Sequence, residues 1–197
     1  MLVSWVSREN CEGRARRPPR KLIQTLFDMA QIDDIKPYFE LTFRPNVELI
    51  SVVRRFVSSF YERILSDPDA TSRIALATHE LLENATKYSS DGETTIRIEV
   101  TATCAAIRIR IWNRSAGEHI GVLRACFAEM LQFSDPFMYY QRLMERSAKR
   151  KEGSGLGLAR LRAEADMELS CEIDDDRVCI VADTYVQPKT ARAEEAV

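Results

Sequence analysis

Two segments of strict alternation, TTIRIEV (94–100) and AAIRIRIW (105–112), constrain this chain more than anything else in it. Successive side chains of a β-strand point to opposite faces. Ile96, Ile98 and Val100, then Ile107, Ile109 and Ile111, therefore fall on one side, with arginine and glutamate on the other. An antiparallel hairpin of this kind has one face that must be covered and one that can stay in water. The rest of the chain has to supply the cover.

The candidates are helical. VELISVVRRFVSSFYERIL (47–65) carries apolar residues every three or four positions, after a strand-like YFELTF (38–43) and a break at Pro45. SDPDATS reads as a turn, and the spacing predicts a second helix over Thr71 to Lys87 with Ile74, Ala77, Leu81, Ala85 and Tyr88 toward the core. Residues 118 to 150 predict two more helices, one with Ile120, Leu123, Phe127 and Met130 in register, the other capped by Asp135 with Pro136 at its first position. KEGSGLGLARLRAEA is a glycine loop entering a helix, and MELSCEI and RVCIVADTYV form a second strand pair around Asp174, Asp175 and Asp176. This order predicts an α+β fold, a two-layer α/β sandwich with helices on one face of a mixed, mostly antiparallel sheet. The expected domain runs from 38 to 186, between a basic extension (1–37) rich in arginine around Pro18 and Pro19 and a polar tail (187–197).

Charge narrows the partners. The 28 basic residues are matched by 30 acidic ones among 197, so no overall attraction to nucleic acid or to an anionic membrane is expected. No apolar run approaches the roughly 18 residues that span a bilayer, and no apolar secretion core opens the chain, so a cytoplasmic location is expected. Five cysteines, Cys11, Cys104, Cys126, Cys171 and Cys179, lack paired CxxC spacing and read as reduced, buried thiols.

ATHELLENATKYSS (77–90) begins like a zinc-protease helix, but position 83 is Glu83 where a second histidine would be needed. What is left is Glu80, Asn84 and Lys87 at offsets of four and three, an acid, an amide and an amine on one helical stripe. In the glycine loop, Gly153, Gly155 and Gly157 let backbone amides approach an anion, and the helix beyond presents its positive end. The loop is neither a Walker loop nor a dinucleotide fingerprint, since Leu158 stands where the last glycine would be.

Together, Glu80, Asn84 and Lys87 followed by GSGLGLARL resemble the N box and second glycine box of the GHKL ATPases, the histidine-kinase-like superfamily. Within it the chain is most similar to the anti-sigma-factor serine kinases, in particular to SiaB-like partner-switching kinases. The resemblance implies the Bergerat fold and ATP with Mg²⁺ as cofactors. It makes Glu80 the general base. Asn84 becomes the metal ligand, Lys87 a charge near phosphate, and Gly153, Ser154, Gly155, Leu156 and Gly157 the phosphate cradle. The Asp-x-Gly-x-Gly box is replaced by Asn113, Arg114, Ser115, Ala116 and Gly117, with Asn113 as the adenine acceptor and the missing middle glycine narrowing the pocket. The expected activity is serine/threonine phosphorylation of a STAS-type antagonist protein, and the kinases the chain resembles are commonly homodimers. A second reading stays open, a non-catalytic module of the same fold that sequesters a sigma factor or other regulator.

Overall fold

A computed structural model describes residues 3–4, 38–65, 67–101, 106–148 and 155–186. Most of the basic extension, the polar tail, Gly153, Ser154, Cys11 and Cys104 lie outside the described residues. The strands are β1 (Val3–Ser4), β2 (Tyr38–Phe43), β3 (Ser89–Thr101), β4 (Ala106–Ser115), β5 (Glu168–Asp174) and β6 (Arg177–Tyr185). The helices are α1 (Val47–Ile64), α2 (Pro68–Tyr88), α3 (Gly117–Leu131), α4 (Pro136–Ser147) and α5 (Leu156–Glu164).

The sheet order is β1-β5-β6-β4-β3-β2, and every pairing among the described residues is antiparallel. The two-layer α+β sandwich is as expected, and the sheet, expected to be mostly antiparallel, is antiparallel in each of its described pairings. The reason is parity. A single crossover helix returns the chain parallel to the strand it left, whereas the α1–α2 pair between β2 and β3 reverses it once more. Two residues of the extension join the sheet as β1, beside β5.

The hairpin register sets the layers. Ile96 faces Ile111, Ile98 faces Ile109 and Val100 faces Ile107, and the five isoleucines are fully buried against the helices. On the other face, Arg108 grips Asp183 through two bonds of 2.8 Å, Arg97 reaches Glu99 and Glu40, and Arg110 pairs with Glu99. α1 buries Ile50, Val53, Val57 and Tyr61, one residue per turn, and starts at Asn46, whose side chain accepts from the Leu49 amide.

SDPDATS is not only a turn. Asp67 caps α2 by accepting from the Ala70 amide, and Pro68 occupies the first helical position, where its missing N–H costs nothing. α2 therefore begins three residues earlier than the apolar spacing indicated.

Tyr61 ties the layers together. Its ring is fully buried and its hydroxyl donates to the Ile98 carbonyl at 2.8 Å. Burial, helped by the charge of Glu99, holds that phenol well above its ordinary pKa. Tyr61→Phe removes this buried hydrogen bond and is expected to destabilise the fold by about 1 kcal/mol. Urea unfolding checks this as a lower midpoint at unchanged slope.

The thiols in the sheet are structural. Burial pushes both Cys171 and Cys179 up to about 12, so neither is a reactive thiolate near neutral pH. Among the described residues no cluster of His, Cys, Asp or Glu could hold a metal ion, and no helix is long and apolar enough to cross a membrane.

Candidate functional site

The site lies where α2 meets the start of α5. α2 turns Ile74, Ala77, Leu81 and Ala85 into the core, which leaves Glu80 and Asn84, four residues apart, on the flank facing α5. α5 begins at Gly155, whose φ of +57° is the left-handed conformation that glycine adopts without strain. Among the described residues no side chain caps this end, so the first amides of α5 are candidate donors to an anion. At Gly157 the two helices touch. A β-carbon there would sit 2.6 Å from Glu80 Oε2 and 3.5 Å from Asn84 Nδ2. Only glycine permits that approach.

Beside this contact lies an apolar cavity of about 90 Å³ between α2, α3, β4 and β6. Leu81, Ala85, Ile111, Leu123, Val178 and Ile180 form most of its wall, and Asn84, Asn113 and Gly155 supply polar groups. Asn113 is buried and its Nδ2 donates to the Arg114 carbonyl at 3.1 Å, so the amide oxygen is its remaining acceptor. Ser115 stands where the superfamily carries its middle glycine. Its hydroxyl is turned aside to the Tyr88 carbonyl, 2.9 Å away, and its amide donates to the Asp176 carbonyl. Ser115 still lines the cavity, yet its polar end is spent on fastening β4 to the end of α2.

Glu80, Asn84, Gly155 and Gly157 are thus brought together, with Asn113 across the cavity and Leu156 in the first turn of α5. Lys87 is not among the cavity-lining residues. It is exposed, with its ammonium 5.1 Å from the centre of the Tyr88 ring. Gly153 and Ser154 lie outside the described residues. His79 pairs with Glu83 at 3.2 Å, and His119 meets the Tyr88 ring edge-on at the cavity mouth. Of the aromatic residues after α3, Tyr139 is buried against Phe133 while Phe137 is exposed.

One residue escaped notice in the sequence. Arg160, one turn into α5, donates from Nη1 to Glu80 Oε1 at 3.0 Å and from Nε to Glu164 Oε2 at 2.7 Å. A charged residue on a short helix reads as a solvated side chain, and its partner lies 80 positions earlier. The Glu164 bond, with the charges of Glu164 and Glu80, holds this guanidinium above its ordinary pKa. Tyr140 of α4 lies nearby, its phenol raised by burial and then by the charge of Glu164.

The residues fit a nucleotide with its metal. Uncapped helix amides suit phosphate, an amide oxygen suits a hard cation, and an apolar slot with one buried acceptor suits a purine.

Comparison with known proteins agrees. The histidine kinase-like ATPase domain model matches residues 43–162. Comparison with curated proteins gives no match. Among solved structures, a chain of the SiaB–SiaC complex from Pseudomonas aeruginosa is similar in fold, with a TM-score of 0.56 at 11% identity over 83% of this chain and 98% of that one. The family model spans more than half the sequence and includes both helices of the site, and on that match the chain belongs to the histidine kinase-like ATPase domain family.

Proposed function

We propose that this chain is an ATP-dependent serine/threonine protein kinase of a partner-switching module, acting on a STAS-type antagonist protein. The contact that carries this reading is Gly157 against Glu80 and Asn84, because it places a carboxylate, an amide and an anion-binding helix end within one side-chain length. Bound Mg-ATP supplies the phosphoryl group with its charge partly neutralised by the metal. The protein's own task is positioning. The α5 amides hold phosphate oxygens, Asn84 directs its amide oxygen to the metal, Asn113 accepts from the adenine amino group, and Glu80 takes the proton of the attacking hydroxyl. The fold shared with a chain of the SiaB–SiaC complex supports a protein partner rather than a small-molecule acceptor.

A second reading, a non-catalytic module that sequesters a sigma factor or other regulator, draws on one observation. Asn113 offers a neutral acceptor where the superfamily has a carboxylate, weaker by about 1 kcal/mol. That difference is about fivefold in affinity, which reduces nucleotide binding without removing it.

Titration with Mg-ATP, Mg-ADP and metal-free ATP separates the two. Binding is expected to require Mg²⁺, and Asn84→Ala should weaken it at least tenfold while leaving the melting temperature within a few degrees of wild type. Affinity that ignores both the metal and the substitution would remove Asn84 from the site. Absence of any nucleotide binding would leave the sequestering module as the better account.

A further inference from the structure

We propose that Arg160 is the positioning residue of Glu80, a role that rests on the kinase reading above. The Glu80 carboxylate has two oxygens, and the structure treats them differently. Oε1 accepts from Arg160 at 3.0 Å, while Oε2 lies against Gly157, beside the Asn84 amide. One oxygen is tied and the other is presented at the glycine turn. The Glu80 side chain is only 13% exposed, so the guanidinium replaces hydration that burial has removed. Arg160 is in turn fixed by Glu164 at 2.7 Å, one turn further along the same helix. Two helices thus meet to set one side-chain rotamer.

Arg160 is 41% exposed, so solvent screens its side of the pair and limits what the ion pair adds to folding. The arrangement does explain how a flexible glutamate is kept in a single orientation next to the cradle, as a group that must meet a hydroxyl within hydrogen-bond reach requires. Gly157 and Arg160 sit three residues apart on α5, so the helix that offers amides to phosphate also carries the cation that aims the base.

The test is steady-state phosphotransfer to a partner hydroxyl by the full chain, with wild type, Arg160→Met, Arg160→Lys, Glu80→Gln and the double variant Arg160→Met/Glu80→Gln. Arg160→Met is expected to lower kcat about ten- to a hundredfold with KM for ATP and melting temperature nearly unchanged. Arg160→Lys should recover part of the loss, and the double variant should be no worse than Glu80→Gln alone. Unchanged kcat in Arg160→Met, or a KM for ATP that rises equally with and without Glu80, overturns the assignment, the latter by placing the guanidinium on the nucleotide instead. Equal turnover in wild type and Glu80→Gln, by contrast, removes the kinase reading itself.

Discussion

Glu80→Gln is expected to lower phosphotransfer by roughly 10²–10⁴-fold, the range a positioned general base contributes, with nucleotide affinity within about threefold of wild type. The substitution keeps size and shape but removes the negative charge and the basic lone pair. It leaves unaltered Gly155 and Asn113, the groups proposed to face phosphate and base. It does alter the contact with Arg160, because an amide oxygen accepts from the guanidinium less strongly than a carboxylate. The measurement is single-turnover phosphotransfer beside equilibrium nucleotide titration. Full activity in the variant would deny Glu80 any part in the chemistry, and loss of activity together with loss of affinity would mean that it holds the nucleotide instead.

Gly157→Ala is the sharper test of the geometry. Its β-carbon would lie 2.6 Å from Glu80 Oε2, well inside van der Waals contact, and the atom it meets is the end of a flexible side chain. Glu80 yields before the backbone does. The fold should therefore survive, and alanine in a helix is favoured over glycine by about 0.5–1 kcal/mol, so the melting temperature should stay level or rise by a few degrees. Turnover should nevertheless fall roughly 10²-fold, since a displacement of about 1 Å at a reacting group is worth that much. Stability and activity moving in opposite directions is the signature to look for in thermal unfolding and phosphotransfer run side by side. If both stay at wild-type level, Glu80 does not act from its place against the glycine turn.

Much of the architecture could be read from local periodicity. The alternation at 94–100 and 105–112 defined a hairpin whose buried face the structure reproduces residue by residue, because a strand's two-residue period leaves no other assignment. YFELTF and the Asp135–Pro136 helix start were equally legible. The start of α2 was not. Asp67, Pro68 and Asp69 have the composition of a turn, and the same residues are the ones that begin a helix.

For the site, Glu80 and Asn84 were visible as a stripe because four residues make nearly one turn. The stripe could not tell that Lys87, one step further round, would lie over Tyr88. The far wall of the cavity, Val178 and Ile180 of β6 with Leu123 of α3, carries no local signal, as those residues are brought together only by the completed fold. Arg160 was missed for the same reason. Its role is defined by a distance in space that the linear order does not encode.

The charged face of the sheet bears on how this molecule keeps company. Arg97, Glu99 and Arg110 form one group of opposite charges and Arg108 and Asp183 a second beside it, so that paired charges form a lattice over this part of the face. Laying a second sheet on that surface would strip water from every one of those groups at once, a desolvation that their mutual attraction does not repay. The lattice acts as a standing veto on face-to-face stacking, the step by which sheet proteins grow into insoluble layers. Visitors are thereby directed toward the helical layer, which carries the candidate site between α2 and α5.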